Sequence, residues 1–220
     1  MSVCIWLGSA APARSIRWLD GALGVAAKFP GAIAIAAGEP TWLDLAADRA
    51  NRAGVASTGV KTDLSLDYLG WAQVAAAVAR HLRAETIFVD EASRPERFAE
   101  VAAIAEIADA AQLTHVVAVA TEGDTLQATR VGQRTLQVVR VRGAAVLGLR
   151  IAGPMIDEYP TPTPSTSMKR IELTAVGLDP AVLAHRALPP RAAGEPRRSV
   201  DRVAAHLVPH LVATRPAKGR

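Results

Sequence analysis

The feature of this sequence that most constrains its fold is an alternation between short apolar runs and longer segments with helical spacing of apolar residues. The apolar runs cover residues 3–7, 31–38, 55–60 and 86–89. The segments with helical spacing cover residues 15–27, 42–53 with Thr41 as the predicted cap, 67–83 with Asp67 at the start, and 96–111 behind Pro95. Strand and helix in strict alternation predict an α/β fold with a doubly wound, mostly parallel sheet.

The alternation stops near residue 114, and a different pattern follows. Four β-prone stretches come in succession, at residues 115–119, 125–130, 135–142 and 145–151, with a tight turn at 122–124. Strands joined by short turns pair antiparallel. We therefore predict an antiparallel extension of the parallel sheet, which completes an α/β domain over residues 1–156.

The chain changes character again at residues 157–173, where Pro160, Pro162 and Pro164 alternate with hydroxyl side chains before a basic, β-prone run. Proline fixes its own φ and disfavours helix in the residue before it, so this stretch is predicted to be an exposed loop followed by a strand. Such a loop suits contact with another protein, although a plain surface connection has the same composition. Residues 174–220 contain too few apolar side chains for a core of their own, so we predict an arm that lies on a neighbouring subunit.

Composition narrows the choice of partner and compartment. Half of the 220 residues are hydrophobic, and the formal net charge of +4 is concentrated near the C-terminus. No aromatic residue follows Tyr159, so the basic tail lacks the stacking groups of a single-strand nucleic-acid binder. We expect a protein partner or a solvated tail, and no nucleic acid. The lone Cys4, the lack of a signal peptide and the short apolar runs predict a cytoplasmic protein that does not span a membrane.

Ligands of open α/β sheets bind at the carboxyl ends of the strands, so the residues that follow each apolar run are the candidate binding residues. The set predicted to contact a cofactor is Gly8, Ser9, Ala10, Asp90, Ser93 and Arg94. Asp90 and Glu91 place negative charge there, which Arg94 and Arg97 could offset unless both are surface charges at the start of a helix. The sequence has no glycine-rich phosphate loop, and no residue is assigned as a catalytic acid, base or nucleophile. His206 and His210 have no third metal ligand near them and are interpreted as surface residues.

The order of several motifs resembles the beta subunit of electron transfer flavoproteins. The motifs are the turn Gly38-Glu39-Pro40, the turn at residues 121–126, the proline loop that ends in Met168-Lys169, and the arm at residues 188–194. The resemblance covers most of the chain from about Gly31 onward. It implies an adenine nucleotide alpha hydrolase-like fold and a heterodimer with an alpha-type subunit. It also implies that this alpha-type subunit holds most of an FAD, whose ring faces the beta subunit. Such a pair carries electrons from a flavin dehydrogenase to an acceptor.

The family's beta subunit often holds a structural AMP, and this sequence departs from the family at that place. The AMP loop would fall on residues 95–102, where Glu96 and Glu100 would repel a phosphate. AMP binding is therefore not expected. Three functions stay open at this point: an electron-carrying subunit without catalytic activity of its own, a degenerate scaffold subunit of a larger dehydrogenase complex, and an enzyme that uses an adenine nucleotide.

Overall fold

A computed structural model of the chain describes residues 1–8, 16–92, 97–122, 125–132, 134–151 and 168–185. They belong to one compact unit, Met1–Leu188, and the second unit, Pro189–Arg220, lies outside the described residues. The strands of the compact unit are β1 Val3–Gly8, β2 Ile33–Gly38, β3 Ala56–Lys61, β4 Thr86–Asp90, β5 Ala111–Glu122, β6 Thr125–Val131, β7 Leu136–Val141, β8 Ala145–Leu149 and β9 Lys169–Ile171. The helices are α1 Ile16–Ala26, α2 Pro40–Arg52, α3 Tyr68–His81, α4 Arg97–Ala108 and α5 Pro180–Ala184.

All nine strands form one sheet in the order β7-β6-β5-β8-β4-β1-β2-β3-β9. The strands from β8 to β9 are parallel to one another, whereas β5, β6 and β7 pair antiparallel. The prediction of an α/β fold with a mostly parallel sheet and an antiparallel part is confirmed.

The prediction that β8 continues the antiparallel meander is wrong. β8 lies between β4 and β5 and is parallel to both, with Ala145 opposite Thr86 on one side and opposite Ala111 on the other. The antiparallel ladder of β5 begins only at Val116, after an irregularity in register that follows Leu113. β5 therefore takes part in both the parallel and the antiparallel regions of the sheet.

The core has two layers because successive side chains of a strand point to opposite faces. In β1, Ile5 and Leu7 face the layer that contains α1 and α2, whereas Cys4 and Trp6 face the layer that contains α3 and α4. All of these side chains are buried. The helices are rich in alanine, which lets them lie close to the sheet.

The helix boundaries correct two sequence predictions. Thr41 does not cap α2, because the helix starts at Pro40 and the capping position is Glu39, whose side chain makes no capping hydrogen bond. α4 ends at Ala108 and not at residue 111, since Ala111 already belongs to β5. The predicted start of α3 is confirmed: Asp67 directly precedes the helix, and its carboxylate caps it by accepting a hydrogen bond of 2.7 Å from the Gly70 N–H.

The described part of the C-terminal third packs on the main body. β9 adds to the edge of the sheet beside β3, and a 3₁₀ helix, Leu173–Val176, follows it. Leu173 and Leu183 are buried in the layer of α3 and α4. The start of the segment assigned to the arm, residues 174–185, is thus part of the compact unit. Most of the predicted proline loop and the rest of the arm lie outside the described residues.

Within the part of the chain that the structure describes, no helix is both long enough and apolar enough to cross a bilayer.

Candidate functional site

The candidate site lies where β1 and β4 end side by side. The chain leaves β1 toward β2 on one side, and it leaves β4 toward the β8 side of the sheet. A crevice at such a reversal is where doubly wound sheets hold their ligands. In this protein β1 ends at Gly8 and β4 ends at Asp90, and both lie at this edge as predicted. Ser9, Ala10, Ser93 and Arg94 lie outside the described residues.

The side chain of Arg97 occupies this edge of the sheet. Arg97 is the first residue of α4, yet only 3% of its surface is exposed. Its Nη2 donates a hydrogen bond of 2.7 Å to the Leu7 carbonyl oxygen, and its Nε lies 3.7 Å from Glu100 Oε2. The interpretation of Arg97 as a possible surface charge is therefore wrong, because the guanidinium turns inward onto the end of β1.

Glu100 joins this arginine to the core. It is 6% exposed, and its Oε1 accepts a hydrogen bond of 2.6 Å from the indole Nε1 of Trp6. A buried carboxylate is tolerated when a cation and hydrogen bonds compensate its charge. Arg97 and Trp6 supply both. Arg97 Nη1 is also buried and makes no hydrogen bond within the described residues.

Gly8 is held from two sides. Its carbonyl oxygen accepts a hydrogen bond of 2.8 Å from the Trp42 indole of α2, while the Arg97 guanidinium lies against its α-carbon. A β-carbon at Gly8 would lie 2.5 Å from Cζ of Arg97, far inside van der Waals contact. Its φ of +81° also falls in the left-handed region that favours glycine. We call Trp6, Gly8, Trp42, Arg97 and Glu100 the switch-point cluster.

A second buried carboxylate lies beside this cluster. Glu91 Oε2 accepts a hydrogen bond of 2.8 Å from the backbone N–H of His115, and its Oε1 is 3.6 Å from His115 Nε2. His115 has a φ of +59°, an unusual backbone conformation for a residue other than glycine. Glu91 packs on Gly148 of β8, where a β-carbon would overlap its carboxylate. Glu91 thus stabilises the irregular segment of β5, around His115, that separates the parallel part of this strand from its antiparallel part.

The rest of the site offers little chemistry of its own. Burial raises the pKa of the Cys4 thiol to about 12, so this cysteine stays protonated and is not a nucleophile at neutral pH. Asp90 and Glu91 are buried at this edge, and their carboxylates oppose the entry of an anion, whereas the charge of Glu100 is paired with Arg97. No cluster of metal-binding side chains occurs among the described residues.

Comparison with known proteins adds no relative: no protein-family model matches the chain, and no curated protein sequence matches it.

Three parts of the site were not predicted from the sequence: the inward turn of Arg97, the hydrogen bonds of the two indoles, and the contact between Glu91 and His115. Two signals in the sequence could have indicated parts of this site. Arg97 and Glu100 are three residues apart in a helix, a spacing that places an arginine and a glutamate on the same face. A tryptophan inside an apolar strand, as Trp6 is, also requires an acceptor for its N–H.

Proposed function

We propose that this chain is the beta-type subunit of an electron transfer flavoprotein-like heterodimer, with the adenine nucleotide alpha hydrolase-like form of the doubly wound fold. In this role it carries electrons from a flavin dehydrogenase through an FAD held mainly by an alpha-type subunit. The strand order β8-β4-β1-β2-β3 and the antiparallel strands on either side of the turn at residues 121–126 support the proposal. When bound, the flavin supplies the electron-accepting chemistry.

One observation carries the proposal: the chain fills its own ligand crevice. Arg97, held by the Leu7 carbonyl and by Glu100, lies against Gly8 at the point where a nucleotide-binding sheet leaves room for its ligand. A subunit of this kind needs a partner to hold the redox group. The described members of the predicted cofactor set agree, since Gly8 is covered and Asp90 is a buried acid that would repel a phosphate. They do not fit a nucleotide held by this chain alone.

The test is co-expression of the full chain with a candidate alpha-type subunit, followed by purification and a visible spectrum. We expect a stoichiometric complex with a flavin spectrum whose reduction by a flavin dehydrogenase depends on this chain. Failure to form a complex with alpha-type subunits would refute the proposal.

The filled crevice also favours the second function, a scaffold subunit that binds no nucleotide within a larger dehydrogenase complex. The same experiment separates the two. A scaffold leaves the rate of flavin reduction unchanged whether the chain is present or absent, even though the complex forms. An electron-carrying subunit changes that rate.

Free AMP will not raise the melting temperature of the isolated chain. A ligand stabilises only the state to which it binds, and Arg97 already lies where a nucleotide phosphate would enter. Thermal melting across a range of AMP concentrations checks this, with adenosine as the uncharged control. A rise that depends on AMP concentration, and that is lost in Arg97→Met, would instead place the phosphate at the buried Nη1.

A further inference from the structure

The antiparallel extension has one face without a covering layer in the described structure. Val139 and Val141 of β7 pack toward the core layer of α1 and α2. Because side chains alternate along a strand, Leu136, Val138 and Arg140 lie on the opposite face. The register then places on that face Val131, opposite Leu136, and Thr129, opposite Val138. No helix among the described residues packs on β6 or β7 as it does on the parallel strands.

This outer face exposes large apolar side chains. Leu136 is 68% exposed, Val138 is 66% exposed and Val131 is 47% exposed. They are three of the seven large hydrophobic side chains that are exposed in the described residues, and the register brings them together on two neighbouring strands. Single exposed apolar residues are ordinary, whereas a contiguous group marks a surface that binds another molecule.

β7 is also an edge strand. It pairs with β6 on one side and has no partner on the other in the described sheet. An edge strand offers unpaired backbone N–H and C=O groups to another polypeptide, and natural proteins protect such edges with charge, prolines or a covering element. Along β7 the only charged side chain is Arg140.

The charges around this face decide between a second copy and a different partner. Arg134, Arg140 and Arg142 are exposed along or next to β7. The described acidic side chain close to them is Glu122, 3.3 Å from Arg140. Two copies that paired through β7 would bring six arginines into one interface, with few carboxylates to compensate their positive charge. Like charges across an interface oppose association, so a second copy fits this surface poorly.

We propose that this outer face, centred on Val131, Leu136 and Val138, docks a protein partner that presents an apolar surface rimmed by carboxylates. The apolar side chains supply the buried centre, and the arginines supply the rim. The proposal does not depend on flavin or on electron transfer. The first experiment identifies this partner and shows whether it is the alpha-type subunit of the proposed function.

The first experiment places a photo-activated cross-linking amino acid at Val138 of the full chain in its native cells. The matched control position is Val182 of α5, which is 64% exposed and lies outside the antiparallel extension. We expect one protein to be captured from position 138 and not from position 182. Mass spectrometry then identifies that protein and the residues joined.

The second experiment measures binding of the purified captured protein to the full chain. Leu136→Glu combined with Val138→Glu should raise the dissociation constant about 30-fold or more, because charged side chains would replace the apolar centre. Arg140→Glu should slow association and reduce its dependence on salt. Val182→Glu should leave the affinity within about twofold, as expected for a residue outside the contact. Circular dichroism of each variant checks that the fold is retained.

Several results overturn the proposal. Capture of a second copy of this chain, of its own residues 152–167 or 186–220, or of no protein at position 138 would each do so. Equal affinity of the double glutamate variant and the wild type would also contradict it. If the captured protein binds through this face but is not an alpha-type flavoprotein subunit, the docking surface stands and the proposed function fails.

Discussion

Arg97→Met will lower the free energy of unfolding by about 3 kcal/mol or more, because removal of one partner of a buried ion pair leaves the other charge uncompensated. Glu100 is that charge, since it is buried against Trp6. The Leu7 carbonyl oxygen loses its donor at the same time. Urea denaturation measures the loss directly. For a unit of this size, the melting temperature should fall by about 6–12 °C.

Two further variants test the cause of this loss. Arg140→Met removes an arginine that is 65% exposed and paired with Glu122, which is itself 63% exposed, so it should cost less than about 1 kcal/mol. Arg97→Met combined with Glu100→Gln removes both charges but keeps an acceptor for the Trp6 indole. The combined variant should therefore recover much of the stability lost in Arg97→Met alone. If it is no more stable than Arg97→Met, a buried unpaired charge is not the reason for the loss.

The parallel part of the fold could be predicted from sequence because each element is specified locally. Apolar runs closed by glycine gave β1 and β2, and the carboxylate of Asp67 marked the start of α3. The position of β8 could not be predicted in this way. Its apolar residues are compatible with either direction of pairing, and its place between β4 and β5 depends on contacts far apart in the chain. The same limit applies to α4, where alanines on both sides of residue 108 give no stop signal.

The location of the candidate site was predictable, but its contents were not. Gly8 and Asp90 follow apolar runs, and the carboxyl ends of parallel strands share one edge of the sheet. The contact of Arg97 with the Leu7 carbonyl joins residues that are 90 positions apart, and no local pattern predicts it. Arg97 turns inward because there is space for its guanidinium beside Gly8, and only the tertiary structure reveals that space.

Gly8→Ala will also cause a large loss, about 4 kcal/mol, for two separable reasons. The left-handed φ of +81° costs a residue with a β-carbon about 1–2 kcal/mol. The new methyl group would also displace the Arg97 guanidinium from its bond to Leu7, which leaves buried charges poorly paired and accounts for the remainder. Gly31→Ala is the matched control. Gly31 has a φ of +76° and open space where its β-carbon would lie, so only the backbone cost of about 1–2 kcal/mol applies.

A double-mutant cycle shows whether Arg97 is the group that Gly8 accommodates. In the Arg97→Met background the guanidinium is absent and methionine is flexible, so Gly8→Ala should cost only the backbone term of about 1–2 kcal/mol. The two substitutions should therefore be coupled by about 2 kcal/mol, well above the error of additivity. Additive losses would mean that Gly8 is required for its backbone conformation alone. In that case the close contact with Arg97 would not stabilise the fold, and the interpretation of this crevice as filled by the chain itself would lose its energetic basis.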